Sequence, residues 1–279
     1  MSTLLVKLIS FLLRSCAIDK LHYPAAALNT LLRFYRPAII EENLKMSFPQ
    51  CDKGEINTLS KAYHHHLSRV IVESFKGFSL PQSVLAERFV FKNPAIANQY
   101  YDQGRSIILV LGHVGNWEWG QAVVSHYLDH NCVGVYKPLS DSSFNNYVLS
   151  KRSQYRVKLL PQKQLLKYLI SHQEETNVYI FIADQYPPTD PRLAINFLGR
   201  STYFDTSVEK IARKYDLPVI YADIRKVDDG TYETELIEIS SDSSKTENGV
   251  ITKKYAELLE TNILRAPQLW LWSHRRWKQ

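Results

Sequence analysis

The run "IILVL" at residues 107–111, followed directly by "GHVGNWE", constrains the fold more than any other feature of the chain. Five consecutive apolar residues rich in β-branching show no alternation of polar and apolar positions. A strand buried on both faces reads this way, as in a parallel sheet, whereas a half-solvated strand alternates. A second run of the same kind, "VYIFIAD", occupies 178–184. Strands of this type deliver their C-terminal loops to the crevice where open α/β sheets place their chemistry. Gly112 and Gly115 bracket His113 and let the backbone turn sharply. His113 and Glu118 therefore arrive together at the end of a core strand.

The flanking pattern alternates strand and helix. Helical periodicity covers 55–78, 117–130, 142–154, 162–173, 207–215 and 249–264. Extended segments fall at 133–136, 157–160 and 194–198. The segments "PVIYADIRKV" and "TYETELIEI" flank Asp229-Gly230, a hairpin signal, and the second alternates as an antiparallel strand should. The order predicts an α/β fold, a mixed sheet with flanking helices. No repeat, low-complexity stretch or long linker divides it, so the simplest organisation is an N-terminal helical segment, 1–35, ahead of one domain, 36–279.

The N-terminal segment has its own pattern. In "STLLVKLISFLLRSC", Thr3, Lys7, Ser10 and Arg14 share one helical face and leave Leu4, Leu5, Leu8, Phe11 and Leu12 for the other. Lys7, Arg14, Asp19 and Lys20 interrupt the apolar runs short of the roughly 18–20 residues a spanning helix needs. A secretory signal is disfavoured because the cations lie inside the apolar stretch. Two placements fit: a basic amphipathic helix lying in a membrane interface, or a helix packed on its own domain. Lys plus Arg number 34 against 28 Asp plus Glu, a surplus that suits an acidic partner such as nucleic acid, anionic lipid or an acidic protein. Cys16, Cys51 and Cys132 are scattered and odd in number, which argues against a disulfide framework or zinc site and for a reducing compartment.

His64, His65 and His66 are consecutive on a helix, point about 100° apart and cannot converge on one ion. Surface or core-edge positions are expected for them. His113 and Glu118 are the better candidates. An imidazole suits general-base work near neutral pH, and a carboxylate can orient it. With His113 in the loop and Glu118 in the first turn of the next helix, the chain can fold them together. Alternatively, Glu118 merely complements that helix's dipole. Asp184 ends the second buried strand at the same expected sheet edge. It can support His113, bind a substrate or cap the following turn. No Ser or Cys sits in a nucleophile motif such as G-x-S-x-G, so a covalent enzyme intermediate is disfavoured.

"GHVGNWE" resembles the H-x4-D/E motif of the lysophospholipid acyltransferase superfamily, and its Gly-Asn-Trp-Glu context is closest to the bacterial lipid A late acyltransferases. The resemblance runs in order along nearly the whole chain, through "IIEENLKMSFP" (39–49), "VYKPL" (135–139), "ADQ" (183–185), "FLGR" (197–200) and "LWLWSHRRWK" (269–278). It implies a lysophospholipid/glycerol-phosphate acyltransferase-like fold and O-acyl transfer from an acyl-acyl carrier protein to a hydroxyl of a membrane glycolipid, a lipid A precursor. On that resemblance His113 is the base and Glu118 its orienting carboxylate. Lys137, Asp184, Gln185 and Arg152 then contact substrate, and neither a metal nor a resident cofactor is needed. The family has Tyr-Arg-Pro where this chain has Tyr136-Lys137-Pro138. Lysine keeps the cation that would hold a phosphate or steady an oxyanion but loses the planar bidentate fork.

The resemblance also implies the cytoplasmic face of a bacterial inner membrane, held peripherally or by a single N-terminal anchor, with acyl carrier protein and anionic lipid as partners. Trp272, Arg275, Arg276, Trp277 and Lys278 suit a membrane interface. Nucleic acid is not an expected partner, because no recognition motif accompanies that tail. Two other readings stay open: the same chemistry on a lysophospholipid, aminolipid or other lipid, and a catalytically silent membrane lipid-binding protein.

Overall fold

The computed structural model describes residues 3–139, 141–185 and 192–277. Helices α1 (Thr3–Arg14), α2 (His22–Leu32) and α3 (Pro37–Ser47) lead to the long α4 (Lys53–Gly77). Next come α5 (Gln82–Arg88), β1 (Phe89–Phe91), α6 (Ala95–Asp102) and β2 (Ile107–Leu111). The alternating part then runs α7 (Trp117–Tyr127), β3 (Asn131–Tyr136), α8 (Ser142–Arg152), β4 (Val157–Pro161), α9 (Leu165–Ser171) and β5 (Asn177–Ile182). A hairpin of β6 (Arg192–Phe197) and β7 (Arg200–Asp205) precedes α10 (Ser207–Tyr215), β8 (Val219–Asp228), β9 (Thr231–Ser240) and α11 (Val250–Arg265).

Seven strands form one mixed sheet in the order β1-β9-β8-β2-β5-β3-β4. From β8 to β4 the pairs are parallel, while β9 runs antiparallel to β8 through the Asp229-Gly230 turn. β2 is central and buried throughout. Its Ile108 and Val110 enter a core shared with α4, α9, α10 and α11, whereas Ile107, Leu109 and Leu111 enter a second core under α5, α6 and α7. Both faces of β2 are covered, which is why its sequence does not alternate. Fully burying each such side chain stabilises the fold by roughly 1.5–3 kcal/mol, so the strand end that carries His113 has a rigid base.

α4 starts with a reciprocal cap: Asp52 accepts from the Gly54 and Glu55 amides, and Glu55 accepts from the Asp52 amide. It is sandwiched between the sheet and the N-terminal helices. Leu13, Leu21 and Ala25 pack on its Val72 and Phe75, and on Phe78 just past its end, in a third apolar cluster that also takes in Phe144 and Tyr147 of α8. The face of α1 toward this cluster includes Ser10, buried beside Leu13, while Leu8, Phe11 and Leu12 are exposed. The side chains of Thr3, Leu4, Leu5 and Lys7 lie outside the described residues. Among the described residues no helix is long and apolar enough to cross a membrane.

Two expectations are corrected by packing. His64 and His66 are buried, and only His65 is exposed, because α4 is covered on more than one side. Burial, with Lys226 alongside, pushes the His66 imidazole down to about 3, so it is neutral at physiological pH. The closing segment is not an exposed aromatic-basic tail either. Trp272 is fully buried against Phe48 and Trp270, and Arg276 is buried with its guanidinium over the Phe204 ring. Trp277 donates its indole N–H to Thr202 and stacks under Arg200. Arg275 is exposed, and Lys278 lies outside the described residues.

Candidate active site

The loop after β2 leaves no room for larger residues at its glycines. A Cβ on Gly112 would sit 2.5 Å from Leu259 Cδ1. Gly115 has φ +60°, and a Cβ there would sit 2.8 Å from Ile224 Cγ2. The closing segment holds this loop by its backbone. The Gly115 amide donates to Leu269 O at 3.0 Å, and the Leu271 amide donates to His113 O at 3.1 Å. Val114 and Trp270 form the antiparallel bridge between them.

His113 is oriented by Asp184. Leu111 of β2 pairs with Ile182 of β5, and two residues beyond each, His113 and Asp184 stand side by side at the sheet edge. Asp184 Oδ1 lies 2.6 Å from His113 Nδ1, and Oδ2 accepts the His113 amide at 2.8 Å. The Trp270 indole donates to the same Oδ2 at 2.8 Å. Asp184 is 3% exposed. Burial opposes its charge, but the His113 ring, the two His113 hydrogen bonds and the Trp270 indole outweigh burial and hold its pKa at about 2. An ionised carboxylate only accepts, so the Nδ1 facing it carries the proton and Nε2 is the basic nitrogen. The Trp117 ring meets the imidazole edge-on, with centroids 5.1 Å apart.

Glu118 has a different partner. Asn116 caps α7 by accepting the Trp119 amide at 3.0 Å, which sets Glu118 in the first helical turn. From there its carboxylate takes two bonds from Arg152, with Nε at 3.1 Å and the terminal nitrogen at 2.5 Å. Asp184, rather than Glu118, is the group on His113 Nδ1. Arg152 thus gives Nε and one terminal nitrogen to Glu118. Lys137 is exposed just past β3, with β5 between that strand and β2. Gln185 is exposed directly after Asp184. The geometry thus brings His113 and Asp184 together, pairs Glu118 with Arg152, and leaves Lys137 and Gln185 open at the strand ends.

Trp270 is the member of this site that sequence reasoning missed as a site residue. In the sequence it falls only within the closing "LWLWSHRRWK" run, and no local pattern links residue 270 to residue 184. An apolar recess lies between the sheet and α7, lined by Phe89, Leu109, Leu111, Val124, Ile180 and Ile182 among others. Among the described residues no group of three or more His, Cys, Asp and Glu side chains could hold a metal ion. A sequence model of the family described as bacterial lipid A biosynthesis acyltransferase matches residues 3–279. No curated protein sequence matches the chain.

Proposed function

The chain belongs to the bacterial lipid A biosynthesis acyltransferases, and from that premise we propose that it moves a fatty acyl chain from the thioester of an acyl carrier protein to a hydroxyl of a lipid A precursor. The observation that carries this reading is His113, its Nδ1 fixed by a buried ionised Asp184 and its Nε2 left basic. Nε2 takes the proton of the acceptor hydroxyl while that oxygen attacks the thioester carbon. Asp184 balances the imidazolium that forms. As the C–O bond forms and the C–S bond breaks, the leaving thiolate recovers the proton from Nε2. Serine and cysteine take no part, so the transfer is direct.

Other groups fill supporting roles on this reading. Lys137 and Gln185 meet the acceptor or its phosphate. Glu118 acts through Arg152, tying the start of α7 to the end of α8 beside the site. Residues 142–173 contain Lys151, Arg152, Arg156, Lys158, Lys163 and Lys167 and no Asp or Glu. That basic stretch forms α8, β4 at the sheet edge and α9, and it supports an acidic donor protein. The exposed Leu8, Phe11, Leu12, Tyr23, Leu31, Phe34 and Tyr35 of the N-terminal segment support contact with a bilayer at its cytoplasmic face. Transfer to a lysophospholipid or aminolipid is the second reading, favoured by Lys137 in place of the family's arginine.

The test is mass spectrometry of lipids after incubating the protein with acyl-acyl carrier protein and a lipid A precursor. The expected product is the precursor heavier by one acyl chain, and its rate of formation should fall by about 10²–10⁴ with His113→Ala. A mass gain on a different added lipid selects the second reading. No acylated lipid of any kind rejects both.

A further inference from the structure

α4 carries charged side chains where a helix between two cores should be apolar. Arg69 is 3% exposed and Glu73, one turn on, is 0% exposed. The terminal nitrogen of Arg69 lies 3.0 Å from Glu73 Oε1. On Oε2, Glu73 accepts Asn116 Nδ2 at 2.9 Å and the Tyr232 hydroxyl at 2.8 Å. Its backbone carbonyl accepts the Trp119 indole at 2.9 Å. Burial pushes the Glu73 carboxyl up, and Arg69 pulls against that. Taking an ion pair out of water costs several kcal/mol per ion, and apolar residues of similar volume often serve stability as well or better. The pair therefore calls for a reason beyond filling space.

Its hydrogen bonds end on the segment that carries His113. Asn116 stands three residues after His113, and its Oδ1 caps α7 while its Nδ2 is held by Glu73. Trp119, three residues further, donates its indole to the main-chain carbonyl at the same position of α4. Asp184 and the closing segment grip His113 from one side of the loop, and Glu73 grips the loop's far end.

We propose that Glu73 is a positioning residue for His113, its carboxylate fixing Asn116 so that the loop leaves β2 at the angle that aims Nε2. This rests on the reading of His113 as the general base. Glu73 touches neither substrate nor reacting atoms. Displacing a reacting group by about 1 Å can cost on the order of 10²-fold in rate, so the effect belongs in kcat rather than KM.

Three variants test it. Arg69→Met with Glu73→Gln removes both charges but keeps an oxygen for Asn116 and Tyr232. Arg69→Met with Glu73→Leu removes the acceptor as well. Asn116→Ser keeps a capping oxygen for α7 and removes only the donor to Glu73. The leucine pair should lower kcat by roughly 10- to 100-fold with KM within about twofold, and the glutamine pair should recover most of that loss. Asn116→Ser should lower kcat at near-native melting temperature, and it decides the matter if the leucine pair does not fold.

The rate at which diethyl pyrocarbonate modifies His113 as pH varies, read by peptide mass spectrometry, reports the imidazole without turnover. Its profile should change in the leucine pair and in Asn116→Ser but not in the glutamine pair. If the wild type transfers no acyl chain, the functional reading fails while this profile still reads the positioning. A folded leucine pair with wild-type kcat and an unchanged profile overturns the inference. So does a loss confined to KM.

Discussion

Asp184 and Glu118 are two carboxylates near one loop, and their surroundings give them different work. Asp184 is enclosed, accepts three hydrogen bonds and has its pKa held at about 2. Glu118 is more open, with a side chain 17% exposed, and spends both oxygens on Arg152, whose side chain is 25% exposed. A buried carboxylate on Nδ1 fixes the tautomer and charge of a histidine. One locked to a guanidinium at a helix start fixes two helices to each other. What a carboxylate does here is decided by its partner, not by its spacing from His113.

The largest effect expected from this contrast is in turnover. Asp184→Asn should lower kcat by about 10²–10⁴, comparable to His113→Ala, since it removes the charge that fixes the tautomer and balances the imidazolium. Steady-state rates with purified protein check this, and a near-wild-type rate for folded Asp184→Asn would break the comparison.

The second effect is on stability against acid. The folded carboxyl of Asp184 sits at about 2, below its ordinary 3.8, so between these values the unfolded chain binds a proton that the folded chain does not. The resulting stabilisation is complete above about pH 4, is lost as pH falls through about 2, and totals roughly 2 kcal/mol. The urea midpoint difference between wild type and Asp184→Asn should therefore shrink across that window. A difference independent of pH would show that Asp184 is not held ionised.

A smaller loss should follow Trp270→Phe, which keeps the ring and removes the indole donor. A hydrogen bond to a charged group contributes about 1.5–3 kcal/mol to stability, so the urea midpoint should fall, and turnover should fall less than in Asp184→Asn because both His113 bonds to Asp184 remain. Unchanged turnover would mean that His113 alone orients Asp184.

The smallest effect belongs to the other pair. Glu118→Gln and Arg152→Gln should each lower turnover several-fold, and the two together should cost little more than either alone. The partly exposed ion pair contributes only about 1 kcal/mol or less. If Glu118→Gln matches Asp184→Asn while Arg152→Gln is silent, Glu118 acts on the chemistry directly and the contrast fails.

Much of the sheet was legible along the chain. The unalternating runs at 107–111 and 178–182 became β2 and β5, and the Asp229-Gly230 signal became the β8–β9 turn, where Gly230 has φ +69°. The three-residue β1, together with α6 and β7, gave no pattern distinct enough to predict. Helical periodicity also found α4 but not its buried Arg69 and Glu73, because charged residues on a helix read as a solvated face until something is seen to cover them. The same limit explains Trp272 and Arg276: an aromatic-basic segment looks alike on a surface and against a core.

By itself the sequence determined that His113 would stand at the end of a strand buried on both faces. Five unbroken apolar residues leave no solvent side, and two glycines make the turn. Only the tertiary structure decided which acid it meets. Asp184 is 71 residues away in the chain and becomes a neighbour because β5 lies beside β2 with Leu111 opposite Ile182. Glu118 is five residues away, yet the cap at Asn116 turns it into a helix that faces Arg152. Sheet order and register are set by how two cores close over both faces of the sheet, a property of the whole chain rather than of any short stretch of it.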